Sequence, residues 1–316
     1  MSRLTLIIDA WECDHDRVAN RHFNPLWSRI GLIPEPYRSP SPSRAIAFLE
    51  EDLLSRDDSA FTGRSPLYAR MVAEVPRALY LNFLVSKSCV AALAPGVFSP
   101  LDLPGDHEST LFTILLFTLE HARPVCAPQI FGAFSPRIMQ SNWRFYGHIK
   151  GLAVQHRPGV LFIHTVTTSL LLSLFGRRLA RCFPLRRAAQ MNVEVRDECV
   201  SAVIDPGKGT APALVFEGER MQSAPAQPIF REQFPSYDTY ARWIIDQRLS
   251  LVIWPREHVI QDMHLDFQKA SITPLRCLQC RVSAVADFLP EKAEPFDCFM
   301  AERLPVFLDS ISAMML

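Results

Sequence analysis

The stretch Ser141-Asn-Trp-Arg-Phe-Tyr-Gly-His148 alternates two kinds of side chain. Extended backbone sends successive residues to opposite faces, so Asn142, Arg144, Tyr146 and His148 share one face while Trp143, Phe145 and Gly147 share the other. This period of two predicts a strand, and the same pattern recurs on both sides of it. It runs through Arg77–Val85, Thr110–Glu120, Asn142–Ile149, Gly159–Thr167 and Ala189–Arg196, then Ser201–Ile204, Ala213–Glu219, Leu249–Ile253, His258–Leu265 and Cys277–Val285. Short strands with few helices between them predict a mainly β, α+β chain folded as an antiparallel sandwich or barrel.

Two helices interrupt the strands. Leu172, Phe175, Leu179 and Cys182 recur at spacings of three and four, which predicts a helix over Ser169 to Phe183 that Pro184 stops. A second helix is expected from about Pro235 to Gln247. Upstream, residues 34 to 44 hold four prolines in eleven positions and can be neither helix nor central strand. Residues 1 to 65 therefore read as an N-terminal extension with a proline-rich linker and one helix from Ser43, and 66 to 316 as the β domain.

Composition excludes several classes. With 316 residues, 48% hydrophobic and 21% charged, the chain is an ordinary globular one, and 33 basic against 33 acidic residues leave no footprint for nucleic acid. Glycine is scarce at 12 and proline abundant at 25, which argues against a glycine-rich phosphate cradle. The N-terminal apolar run is too short for a signal peptide, and Val160 to Phe175 is too polar to span a bilayer. The expectation is a cytoplasmic protein with no membrane contact, and its eight cysteines are expected to be reduced.

The familiar catalytic strings G-x-G-x-x-G, G-x-x-x-x-G-K-[ST], G-x-S-x-G and H-E-x-x-H do not occur. Cys277-Leu-Gln-Cys280 lacks the second pair a zinc ribbon needs and sits in a strand-like run, so it reads as core thiols. No metal and no cofactor is called for. The arginines 177, 178, 181, 186 and 187 divide between a solvated helix face and an anion site.

Four patterns, taken in order, resemble the YqjF-like family of uncharacterised proteins, which is grouped with the acetoacetate decarboxylase superfamily. They are Arg77-Ala-Leu-Tyr-Leu-Asn-Phe-Leu-Val85 with Leu93-Ala-Pro-Gly96; Asn142-Trp-Arg-Phe-Tyr146; Pro158-Gly-Val-Leu-Phe-Ile-His164 leading to the arginine-rich helix; and His264-Leu-Asp-Phe-Gln-Lys-Ala270. The resemblance covers about residues 66 to 310. It implies a curved antiparallel double sheet or cone-like barrel around a small-molecule cavity.

In decarboxylases of that superfamily a strand lysine forms a Schiff base with a keto acid. The corresponding strand here has no lysine before Lys150, and a permanently protonated guanidinium cannot serve as the nucleophile.

If the polar face of this strand lines the cavity, Arg144 is placed to hold a carboxylate or enolate, with Asn142 and Tyr146 orienting it. His164 or Tyr146 would then move a proton, and His148, His264 and Gln268 would complete substrate binding. Each has a plainer role to set beside this: a solvated polar face for Arg144, and satisfied core or structural hydrogen bonds for His164, His264 and Gln268. The functional expectation is lyase- or isomerase-type acid/base chemistry on a small carboxylate- or ketone-bearing metabolite, in a monomer or homo-oligomer. The competing reading is a ligand-binding or partner-interaction module without chemistry.

Overall fold

The fold is that of a computed structural model describing residues 71–93, 96–103, 105–124, 129–149, 159–170, 173, 185–209, 211–224, 234–247, 249–253, 257–265, 270–283, 289 and 293–315. The extension over 1 to 65 lies outside these residues. So does the helix expected over Ser169 to Phe183, apart from Ser169, Leu170 and Ser173.

The strands in chain order are β1 (Met71–Ser86), β2 (Phe98–Pro100), β3 (Ser109–Pro124), β4 (Ile138–Ile149), β5 (Gly159–Thr167), β6 (Leu185–Arg187) and β7 (Gln190–Arg196). They continue with β8 (Cys199–Asp205), β9 (Leu214–Arg220), β10 (Leu249–Ile253), β11 (Glu257–Leu265), β12 (Ser271–Val282) and β13 (Asp297–Met315). Three helices are described: α1 (Lys87–Leu93), α2 (Gln129–Ala133) and α3 (Tyr237–Ile245). Each strand expected from periodicity overlaps an observed one, with residues 284 and 285 of the last outside the described residues.

All strands belong to one sheet. Its order β1-β3-β4-β5-β10-β11-β13 returns on itself, because β13 also pairs with β1 from Met71↔Leu308 to Asn82↔Asp297. The result is a closed circuit of mostly antiparallel strands, with one parallel step between β5 and β10. From the other side of β13 a second layer branches off as β12-β9-β8-β7. The cone-like barrel and the double sheet are thus both present, joined through β13.

Two cores follow from the alternation of side chains. Leu79, Leu81 and Phe83 of β1, Phe112 and Ile114 of β3, and Trp143 and Phe145 of β4 pack against Val200, Ala202, Leu214, Phe216 and Val282 of the second layer. The opposite face carries Ala78, Tyr80, Leu115, Tyr146, Phe162, Phe299 and Ala301, which pack with Tyr240, Ala241, Ile244 and Ile245 of α3. Strands buried on both faces read as nearly continuous apolar runs, as Leu111-Phe-Thr-Ile-Leu-Leu-Phe117 does. Helix α3 covers the inner face of the ring.

The helix is specified locally. Ser236 caps it by accepting from the Thr239 amide at 3.1 Å, and Asp238 pairs with Arg242 one turn on at 2.6 Å. Its buried residues recur at spacings of three, four and one, which puts a single stripe against the sheet. Gly147 is required by a close approach: a Cβ there would stand 2.2 Å from the Ser99 carbonyl oxygen and 2.6 Å from the Phe98 ring. That absence of side chain lets β2 lie against β4.

Candidate functional site

Cross-strand pairing places Asp297 opposite Asn82, Asn82 opposite Thr113, and Thr113 opposite Arg144. Opposed residues share a face, so four polar residues form a row across β13, β1, β3 and β4 on the side that α3 covers. All four are buried. Polar groups survive there only by bonding to one another or to a guest.

Arg144 stands at one end with only 2% of its surface exposed. Its Nε and Nη2 donate to the Tyr146 hydroxyl at 3.2 and 3.0 Å, and Nη2 also donates to the Ile244 carbonyl of α3 at 3.2 Å. Tyr146 donates to the same carbonyl at 3.3 Å. The guanidinium carbon lies 5.3 Å from the Tyr146 ring centroid and 5.9 Å from that of Tyr80. Among the described residues no carboxylate is within ion-pair distance of it. A guanidinium cannot shed its charge, so burial without a counter-ion leaves a positive centre in a low-dielectric interior.

Asp297 closes the other end. Its Oδ2 accepts from Asn82 Nδ2 at 2.9 Å, its Oδ1 from the Tyr237 hydroxyl at 2.8 Å, and Thr113 donates to Asn82 Oδ1 at 2.6 Å. Burial pushes this carboxyl up to about 6, against the pull of Tyr237, Asn82 and the neighbouring Tyr240 on its charged form. Burial likewise raises the Tyr237 and Tyr240 phenols, and Asp297 adds to both shifts. Tyr237 touches Asp297 and Ile244 touches Arg144, two helical turns apart, so α3 spans the row over ~10 Å. Two further polar atoms on this face have no hydrogen-bond partner, Asn142 Oδ1 and Thr165 Oγ1, and these residues oppose each other on β4 and β5. Such orphans mark where a ligand's polar groups can bond.

The candidate residues read from the sequence separate. Asn142, Arg144 and Tyr146 share the inner face, and Arg144 is enclosed rather than solvated. His164 is a correction: it pairs with Trp143, not Arg144, and its ring meets the Trp143 indole edge-on at 6.1 Å in the core between the layers. Its Nδ1 accepts from Arg186 Nε at 3.0 Å, and burial first, Arg186 second, hold its pKa well below the usual 6.5. It cannot reach a guest at Arg144. His148 is half-buried opposite Ser99 at the far end of β4, close enough to Asp102 to act on that carboxyl. His264 lies on β11 opposite Phe307, and Gln268 falls outside the described residues.

Asp297, Asn82, Thr113, Tyr237 and Tyr240 were not legible as a site. The one local signal is a lone carboxylate entering the apolar run Asp297-Cys-Phe-Met-Ala301, a place where charge is costly unless it is bonded. Cys277 and Cys280 are free thiols, half-buried and buried, as core cysteines should be. Among the described residues no group of metal-ligating side chains comes together.

No protein-family model and no curated protein matches the chain. Solved structures do. Acetoacetate decarboxylase from Legionella pneumophila superposes with a TM-score of 0.51 at 9% identity, over 82% of this chain and 96% of that one. An acetoacetate decarboxylase-like enzyme from Sphingomonas wittichii gives 0.51 at 8% identity, over 78% and 94%. The fold is acetoacetate decarboxylase-like. At such identity the likeness carries architecture alone, and the YqjF-like family has no further support. Within this acetoacetate decarboxylase-like fold the only described lysines are Lys87, paired with Asp102, and Lys208, in an exposed turn, so neither faces the ring interior. Among the described residues, no helix is long and apolar enough to cross a membrane.

Proposed function

We propose that the ring interior binds a small carboxylate- or ketone-bearing metabolite at Arg144 and Tyr146, and supports lyase- or isomerase-type proton transfer without a Schiff-base lysine. The observation that carries this reading is the buried Arg144 guanidinium with no carboxylate partner among the described residues. Its bonds go to the Tyr146 hydroxyl and the Ile244 carbonyl, with the buried Tyr80 hydroxyl also in hydrogen-bond contact, so each of these partners is neutral. An incoming carboxylate or enolate oxygen would offset the charge already buried. The unpartnered Asn142 and Thr165 oxygens would orient the guest by accepting or donating a hydrogen bond.

The same site with no chemistry is the second reading, favoured by the closeness of Ile244 and Tyr146, which already satisfy part of the guanidinium. Isothermal titration of wild type and Arg144→Ala with 2-oxobutanoate and 4-oxopentanoate tests the anchor. Binding by wild type that weakens at least tenfold in the variant is expected. No binding, or equal affinity in both proteins, overturns it.

A further inference from the structure

We propose that Asn142 and Thr165 form a hydroxyl subsite beside Arg144, and that the guest of this interior is a hydroxy acid whose carboxylate lies on the guanidinium while its alcohol lies between the two residues. The proposal rests on Arg144 being the anion anchor and adds the second group of the guest. Three observations support it. Asn142 Oδ1 and Thr165 Oγ1 are buried without a hydrogen-bond partner, in residues only 8% and 1% exposed. They belong to directly opposed positions of β4 and β5, where Cβ atoms stand ~5 Å apart, yet they do not bond to each other. The next positions across the sheet bring no polar side chain, since Asn142 faces Leu115 on β3 and Thr165 faces Leu185 on β6. Polar atoms buried in this way are costly until a group with matching hydrogen bonds enters between them.

The chemistry of the two atoms selects that group. An amide oxygen only accepts, whereas the threonine hydroxyl has a proton of its own to place. An ammonium would donate to Asn142 and leave the Thr165 proton without an acceptor. A carbonyl would accept from Thr165 and give Asn142 nothing. A methylene satisfies neither. An alcohol accepts from Thr165 with a lone pair and donates its own proton to Asn142 Oδ1, so a single oxygen completes both residues. Asn142 and Arg144 are two residues apart on one face of β4, ~7 Å along the strand. A carboxylate and an alcohol on a chain of four or five carbons span that separation once a hydrogen bond is added at each end.

The test is isothermal titration of the full chain with three five-carbon acids that differ only at carbon 4: 4-hydroxypentanoate as separate enantiomers, 4-oxopentanoate and pentanoate. Wild type should bind the better hydroxy enantiomer at least ~10-fold more tightly than 4-oxopentanoate or pentanoate, because a site built to hydrogen-bond an alcohol rejects analogues that lack it. Thr165→Val keeps the shape of the side chain and deletes the hydroxyl, so the preference should fall to about twofold or less. Thr165→Ser should restore it. If wild type binds 4-oxopentanoate through Arg144 and shows no preference for the alcohol, the hydroxyl subsite is overturned while the anchor stands. A preference that persists in Thr165→Val also overturns it. If none of the three acids binds wild type, the Arg144 anchor falls and this inference with it. Should Thr165→Val not fold, Thr165→Ala is read in the same way.

Discussion

Arg144 and His164 stand on adjacent strands and leave the sheet on opposite faces. A bulge at Ile163 separates them: Trp143 pairs with His164 and Arg144 with Phe162, so β5 carries one residue more than β4. Strict alternation from Val160 and Phe162 would turn His164 inward beside Arg144. The extra residue sends it outward, to Trp143 and Arg186.

That placement gives His164 a pH signature of its own. Its folded pKa is depressed, so the unfolded chain takes up a proton that the native state refuses, and stability is lost as pH falls below 6.5. Replacing His164 by Gln, which keeps an acceptor for Arg186, should flatten the decline of stability between pH 6.5 and 5. Urea unfolding of both proteins across that range checks it, and parallel curves would show that His164 does not titrate differently in the two states.

Asp297 has the opposite sign. Its folded pKa is raised from 3.8 to about 6, so its favourable contribution is complete below pH 3.8 and is lost as pH rises through 6. At ~1.4 kcal/mol per pH unit, the ionised carboxylate costs up to ~3 kcal/mol at neutral pH. Asp297→Asn should gain stability relative to wild type by an amount of that order between pH 4 and pH 7. Chemical denaturation at the two pH values measures this, and a difference that does not change with pH contradicts it.

Removing the unpaired charge should separate stability from binding. Arg144→Met replaces a buried guanidinium by an apolar chain of similar length and removes the desolvation cost of an uncompensated buried charge. The Tyr146 hydroxyl keeps its bond to the Ile244 carbonyl. The expected outcome is a melting temperature equal to or above wild type, with no further rise when 2-oxobutanoate is added. A melting temperature lowered by more than ~5 °C would mean that the guanidinium bonds hold the fold together more than its burial costs.

Gly147 tests the seat of the site. An added methyl meets the Ser99 carbonyl oxygen and the Phe98 ring, and one of these is backbone that cannot rotate away. Gly147→Ala should cost about 1–3 kcal/mol through displacement of β2 from β4. It should also weaken oxo-acid binding, because Tyr146 and Arg144 precede it on the same strand. Unchanged stability in thermal unfolding would refute the close approach.

The amino-acid pattern by itself determined the mainly β class, the shared polar face of Asn142, Arg144 and Tyr146, and a helix over about 235 to 247. Each depends on neighbours within a few positions, where side-chain period and capping speak directly. It also withheld a nucleophilic lysine from that strand. Only the tertiary structure decided that this polar face turns inward, that Arg144 has no counter-ion among the described residues, that His164 faces away, and that Asp297 completes the row. One extra residue inverts the facing of His164, and a bulge leaves no signature in composition. Asp297 meets Asn82 across 215 residues of chain, on a strand whose charged Glu302 and Arg303 and whose Pro305 hide its period. Ring closure through β1 and β13 brings them together, and that pairing is a property of the folded sheet rather than of any segment in it.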